Sequence, residues 1–271
     1  MSVEQNHTRR SAYVLPTPQL VGDVGIHPLR LRELLRWLEE ALARGKPATI
    51  FYANVHAINL ARRDPALRAV YREAEVVFCD GQGLRLGAAL LGRPLPERFT
   101  PPDWIDGLAA ICASGSHRIF LLGGHPGVAE EAARRLEANH AGLQIATHDG
   151  YFLSTPDGEQ AVLEAIRAFQ PTLLLVGMGM PMQEYWIAAQ RAQITAPVLM
   201  TVGALFDYLA GTVTRGPRWL TDNGLEWLCR LWYEPRRLWQ RYLIGNPRFA
   251  LLIVQQMLAE RHVAKDRHKR G

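Results

Sequence analysis

Val76-Val77-Phe78-Cys79-Asp80-Gly81-Gln82-Gly83 is an apolar run that stops on a carboxylate and two glycines. A short β-rich run ended this way reads as a buried strand that delivers Asp80 to the carboxyl edge of a sheet, with little side-chain bulk around it. Outward from it, similar runs recur at Ala48–Tyr52, Arg118–Leu122, Leu143–Thr147, Thr172–Val176 and Val198–Val202, alternating with helical stretches. The clearest helix is Leu29 to Ala43, where Leu31, Leu34, Leu35, Leu38 and Leu42 recur at helical spacing until Gly45 stops the run. Such alternation argues for an α/β fold, a largely parallel sheet with helices on both faces. Ligands of open α/β sheets bind beyond the carboxyl ends of the strands. Chemistry is therefore expected at Asp80–Gly83, at Gly123-Gly124-His125-Pro126-Gly127 and at Gly177-Met178-Gly179-Met180-Pro181.

With 271 residues and 48% hydrophobic content, the chain can bury one substantial core and is too short for two full-sized domains. Cys79, Cys112 and Cys229 are too widely separated to suggest a zinc-type pair or a disulfide framework, which points to a reducing compartment. Met1 to Leu15 lacks the apolar core of a signal peptide. The longest late apolar run, Phe249 to Val254, falls short of the roughly 18 to 20 residues that span a bilayer, so neither export nor membrane crossing is expected.

Charge is unevenly placed. From Arg215 onward there are twelve Lys/Arg against five Asp/Glu, and before it nineteen against twenty-one. The basic segment also carries Trp219, Trp227, Trp232 and Trp239, four of the seven tryptophans. Tryptophan beside arginine suits a surface that meets anionic lipid headgroups. Nucleic acid would attract the same charges, but the net negative balance of residues 1–214 and the lack of a recognisable module disfavour it. We divide the chain into an irregular lead-in at 1–25, a sheet domain at 26–211, a basic helical appendage at 212–262 and a charged tail at 263–271. Within the appendage, Gly224 to Tyr233 and Pro235 to Leu243 read as two short helices, and Pro247 as the start of a third running towards His262.

Several loop residues could carry chemistry. Asp80 could act as a general base on an attacking hydroxyl, although Asp-Gly is also a common turn and Asp a common helix cap. Asn54 could bond substrate or cap the helix His56 to Arg63, and His56 reads as a helix-surface residue. Gly123 and Gly124 could admit phosphate oxygens to backbone N–H groups at a helix N-terminus, or simply form a tight strand-to-helix turn. Gln183 and Glu184, after the Gly179-bearing loop, are expected to reach the same cleft, where an amide suits sugar hydroxyls; alternatively Glu184 complements a helix dipole.

The ordered set Asn54, Asp80-Gly81-Gln82-Gly83, Arg98, Leu122-Gly123-Gly124, Gly150-Tyr151-Phe152, Gly177-Met-Gly-Met-Pro181-Met-Gln183-Glu184, Val202 to Asp207, Gly211, Arg215-Gly-Pro217 and Gly224-Leu-Glu-Trp227 resembles the WecG/TagA/CpsF glycosyltransferase family from about residue 20 to 245. The resemblance implies a Rossmann-like sheet domain with a C-terminal appendage that docks peripherally on the cytoplasmic face of the bacterial inner membrane. It implies an inverting transfer from a UDP-sugar to a lipid-linked, undecaprenyl-diphosphate saccharide in surface polysaccharide assembly, the sugar being N-acetylmannosamine, its uronic acid or glucose. By position it assigns Asp80 as base, Asn54 and Arg98 as active-site residues, Gln183, Glu184, Gly179 and Tyr151 to substrate, and Arg230, Arg236, Arg237 and Arg241 as the appendage arginines that complete the site. The chain departs from the family pattern at Tyr52, where Thr is usual, at Met182, where Lys is common, and at Thr100-Pro101-Pro102, which replaces a glycine-containing turn.

No Asp-x-Asp appears among the sheet loops, so little dependence on Mg²⁺ or Mn²⁺ and no cofactor are expected. A homo-oligomer is compatible with the sequence. The rival reading is a non-catalytic nucleotide-binding, membrane-docking regulator on the same fold.

Overall fold

The computed structural model describes residues 13–214, 216 and 226–270, with the side chains of Glu226, Arg237 and residues 263–270 left aside. Arg215, Pro217, Trp219, Gly224 and Leu225 lie outside the described residues.

All six expected strands form: β3 (Ala48–Ala53), β4 (Val76–Cys79), β5 (Arg118–Gly123), β6 (Gln144–His148), β7 (Leu173–Gly177) and β8 (Val198–Thr201). They pair in parallel in the order β4-β3-β8-β7-β5-β6. This is the Rossmann-like sheet, and its carboxyl edge, where chain excursions from β3 and β8 part company, is the edge at which such sheets bind ligands. The stretch read as irregular contains an antiparallel hairpin, β1 (Gln19–Val21) with β2 (Val24–Ile26). Three-residue strands are too short to show a period of two, which is why the sequence pattern hides them.

The strands are hydrophobic on both faces because both faces are covered. In β3, Ile50 and Tyr52 point into one core and Phe51 and Ala53 into the other. The first core is closed by α1 (Leu31–Arg44), α5 (Pro101–Ser114), α6 (Val128–Asn139) and α9 (Leu205–Ala210). The second is closed by α2 (Val55–Arg63), α3 (Pro65–Glu73), α4 (Gln82–Leu90), α7 (Gly158–Phe169) and α8 (Met182–Gln190). Helix α1 begins two residues later than its leucine pattern suggests, because the Arg30 N–H is taken by Glu33 in a capping arrangement (2.7 Å). Gly45, at φ 58°, ends it in the left-handed conformation that a side chain disfavours.

Beyond Gly211 the described chain is helical: α10 (Glu226–Tyr233), α11 (Pro235–Trp239), a π-helical turn (Gln240–Ile244) and α12 (Gly245–Arg270). The third helix expected to open at Pro247 is thus part of a helix already running from Gly245. The backbone stays helical from the π-helical turn into this helix, so Pro247 follows that turn within a continuous helical run, and its missing N–H falls next to the local irregularity. Helix α12 is bound to the sheet domain, not merely appended to it. Phe249, Leu252 and Ile253 are buried in the second core, and the Gly22 N–H donates to Gln256 Oε1 (2.9 Å). Gly87 of α4 makes room for this docking: a Cβ there would stand 2.5 Å from Phe249 Cζ.

Phe249→Ala should therefore lower unfolding stability by about 3 kcal/mol, the usual scale for truncating a buried phenylalanine. Urea denaturation followed by circular dichroism checks this, and an unchanged midpoint would show that α12 contributes nothing to the core.

Candidate active site

Asp80 leaves β4 where that strand lies in register with β3, Ala53 opposite Cys79. The Asp80 N–H donates to the Ala53 carbonyl (2.8 Å), so the two strand ends turn away together. Asn54 then does both things read for it as alternatives. Its Oδ1 accepts from the N–H groups of His56 (3.0 Å) and Ala57 (3.1 Å), capping α2, while its Nδ2 donates to Asp80 Oδ2 (3.1 Å). Backbone N–H groups only donate, so the cap fixes which end of the amide faces Asp80. Gly81, at φ 105°, occupies the N-cap position of α4.

Arg98 is half-buried beside this pair, in a segment held to β4 by the Phe99 N–H donating to the Cys79 carbonyl (3.2 Å). The departure at Thr100-Pro101-Pro102 opens α5: Asp103 Oδ2 accepts from both the N–H and the hydroxyl of Thr100, and the prolines fill the first turn.

Three cavities share Arg241, and two of them share Asp80 as well. A small one of about 120 Å³ runs from Asn54 and Asp80 to the turn Gly203-Ala204, with Tyr52 on its wall and Arg230 and Arg241 at its mouth. A second, of about 420 Å³, has Asp80, Arg98, Arg230 and Arg241 at one end and Leu86, Trp227, Tyr242 and Phe249 along its side. The third, of about 1,050 Å³, is reached across Arg241 and His56 and is bordered by Gly124, His125, Tyr151 and Gly179.

The appendage arginines divide. Arg230 and Arg241 both face Asp80, and the Nε of each is buried without a hydrogen-bond partner among the described residues. Arg236 is exposed and borders none of the three cavities, and the side chain of Arg237 is outside the described set. His56 is not the surface residue expected. It is half-buried, lines the second and third cavities, and is kept neutral by burial and by the Arg241 charge, which together lower its pKa to about 4. Its position two residues after the Asn54 cap, in the first turn of a helix leaving the sheet's carboxyl edge, was the available signal.

In the Gly123-Gly124 loop the packing is that of the tight strand-to-helix turn, one of its two readings. Gly123 is required by packing, because a Cβ there would collide with the Gly177 carbonyl, and the Gly124 N–H is already given to that carbonyl (3.2 Å). The Gly124 N–H is thus engaged within the turn, and Gly124 contributes an unobstructed wall to the large cavity. Gly179, at φ 78°, lines the small and large cavities with no side chain to narrow them. Tyr151 stacks on His125 with ring centroids 4.6 Å apart, and its hydroxyl lies 3.0 Å from His125 Nε2, forming a half-exposed aromatic platform on the large cavity.

Gln183 and Glu184 do not reach the cleft. Both are completely buried beneath it, and neither lines a cavity. Gln183 Oε1 accepts from the Gly203 N–H (3.2 Å), and its Nε2 donates to Glu184 Oε1 (2.8 Å) and the Tyr52 hydroxyl (3.3 Å). They tie the first turn of α8 to the floor of the small cavity. Helical sequence position cannot reveal this, since the two residues fall where a cavity-facing pair would also fall.

The sequence has counterparts among known proteins. The model of the Glycosyl transferase WecG/TagA/CpsF family matches residues 19–263. The chain belongs to this family. A similar protein is the N-acetylglucosaminyldiphosphoundecaprenol N-acetyl-β-D-mannosaminyltransferase of Bacillus spizizenii, 29% identical over 215 residues that cover 79% of this chain and 81% of that protein. The protein of the same description from Staphylococcus aureus strain NCTC 8325 is 29% identical over 189 residues, covering 70% and 73%. The chain is accordingly a glycosyltransferase, not a regulator borrowing the fold. Among its described residues no helix is long and apolar enough to cross a membrane.

Burial raises the Glu184 carboxyl to about 7 from its ordinary 4.5. The folded state thus keeps a proton that the unfolded chain has already released, so stability falls as pH rises from about 4.5 to about 7. Glu184→Gln keeps the acceptor for Gln183 and should flatten that decline, recovering up to roughly 3 kcal/mol relative to wild type at pH 8. Urea midpoints at pH 5 and pH 8 test it; parallel pH profiles for the two proteins would refute the assignment.

Proposed function

We propose that the enzyme inverts the anomeric centre of a sugar as it moves it from a UDP-sugar to a lipid-linked, undecaprenyl-diphosphate saccharide. The observation that carries this reading is Asp80, steadied by Asn54 and faced by two arginines whose Nε groups have no partner among the described residues. A buried N–H donor without an acceptor is costly, and a diphosphate supplies acceptor oxygens together with the opposite charge.

The assignment of cavities follows their linings. The large cavity, with the Tyr151–His125 platform, suits the nucleotide half of the donor. The second cavity, walled by Leu86, Trp227, Tyr242 and Phe249 with Arg98 at its Asp80 end, suits the lipid-proximal end of the acceptor. The reacting sugars then meet at Asp80, where the small and second cavities adjoin. Asp80 takes the proton from the acceptor hydroxyl as its oxygen attacks the anomeric carbon, and the bond from that carbon to the UDP oxygen breaks with its electron pair leaving on UDP. Arg230 and Arg241 meet the charge that develops on the departing diphosphate. In this reading the guanidinium groups take the place that a divalent ion holds in other transferases.

The relatives are named for transfer of N-acetyl-β-D-mannosamine to N-acetylglucosaminyldiphosphoundecaprenol, which makes an N-acetylmannosamine donor and that acceptor the first to try. The uronic acid and glucose remain the alternatives in a donor panel. Asp80→Asn should lower kcat by about 10²- to 10⁴-fold while leaving UDP binding intact, the scale expected for loss of a general base. UDP release at the wild-type rate by this variant would remove Asp80 from the role.

The membrane surface belongs to the same proposal. Trp232 is 82% exposed, Trp239 and Leu243 are exposed near it in sequence, and Leu251, Val254 and Leu258 form an exposed apolar stripe along α12 at helical spacing. A basic helical surface with such a stripe suits the interface of an anionic bilayer, on the cytoplasmic side where the acceptor lipid's head group is made available. Because α12 is also part of the core, truncation is a poor test. Leu251→Asp with Val254→Asp leaves the buried face untouched and should release the protein from phosphatidylglycerol-containing liposomes in co-sedimentation. Retained binding would point away from this surface.

A further inference from the structure

Tyr52 lies two residues before Asn54 with its phenol all but buried, the exposed edge facing the small cavity beside Asp80. Three hydrogen bonds decide which way its hydroxyl hydrogen points. The Gly203 N–H donates to Gln183 Oε1, and an N–H has only a hydrogen to offer, so the carbonyl end of the Gln183 amide must face Gly203. The amide nitrogen is then turned towards Glu184 Oε1 and the Tyr52 oxygen. The phenol oxygen therefore accepts, and its own hydrogen has no protein acceptor among the described residues.

The position of that hydroxyl is also constrained. The Tyr52 ring packs against Phe78, with centroids 6.3 Å apart, and a Cβ on Gly203 would collide with the Tyr52 oxygen. Gly203 sits at φ 56°, which suits glycine on backbone grounds as well. Phenol and turn are thus fitted to each other, and the hydrogen is presented from a rigid floor. Burial first, then the nearby carboxyls of Glu184 and Asp80, push the phenol above its ordinary pKa, so it stays protonated.

We infer that the Tyr52 hydroxyl is a specificity-determining donor that binds an acceptor oxygen on the sugar being transferred, most favourably the carbonyl of an acetamido substituent. The inference rests on the donor and acceptor assignment proposed above. An acetamido carbonyl is a stronger acceptor than a hydroxyl, and the small cavity that Tyr52 lines is open enough to admit a substituent of that kind. A site built to donate one hydrogen bond discriminates against a sugar that leaves the donor unpaired.

The test compares wild type with Tyr52→Phe, which keeps the ring and removes only the hydroxyl. UDP, a UDP-N-acetylhexosamine and the matching UDP-hexose are titrated into each by calorimetry, and kcat/KM is measured for both sugars. The variant should lose about 3- to 15-fold in affinity and kcat/KM for the N-acetylated donor, as a single neutral hydrogen bond implies, with less than a twofold change for the hexose and for UDP. Equal losses for all three ligands, or none, would overturn the inference while leaving the glycosyltransfer reading intact. Failure of wild type to bind either UDP-sugar would overturn both.

Discussion

The side chain of Asn54 joins the two halves of the site. Its oxygen is held by the N–H groups at the start of α2, so its nitrogen has one direction left, and Asp80 lies in that direction. The parallel register of β3 and β4 makes this contact possible by bringing Ala53 opposite Cys79, so that the residues following each strand emerge side by side. A carboxylate on a glycine-rich turn would otherwise sample several rotamers. Tethered to a helix cap, it is presented to the cavities in one orientation, which is the kind of preorganisation that proton transfer in a transition state rewards.

Around that pair the site is closed from two directions by different physics. From below, Gln183 and Glu184 form a buried polar layer that connects α8 to the Gly203 turn and to Tyr52. Such a layer is costly in free energy where an atom lacks a partner, as Glu184 Oε2 does among the described residues, and it confers geometry in return. From above, the C-terminal helices bring Arg230 and Arg241 over Asp80. Their placement depends on apolar contact, since Phe249 fits over Gly87 and carries the base of α12 onto the sheet domain. Hydrophobic packing thereby positions two guanidinium groups whose Nε atoms have no hydrogen-bond partner among the described residues.

Much of this was legible before any coordinates. The six strands follow from short apolar runs because both faces of a parallel sheet are buried, and Asp80 and Asn54 stand out because strand ends in such a sheet point at ligands. For His56 the one signal was its place in the first turn of α2, and that place fits a surface position as well as a cavity wall. The difference between Arg230 or Arg241 and Arg236 was not legible: all three lie in one basic stretch, and only the course of α10, α11 and the π-helical turn decides which guanidinium turns inward. The β1–β2 hairpin escaped notice because three residues a strand leave no periodicity to read.

The sequence by itself determined the fold class, the family and the identity of the carboxylate at the strand end, since these depend on local hydrophobic pattern and on residue order along the chain. The tertiary structure alone decided that Gln183 and Glu184 lie buried beneath the cavities, that Gly123 packs against the Gly177 carbonyl, and that the Tyr52 oxygen accepts from Gln183. The reason is that hydrogen-bond direction and burial are set by partners far away in the chain, 131 residues in the case of Tyr52 and Gln183. No local pattern records which of a side chain's donors and acceptors those distant partners will already have taken.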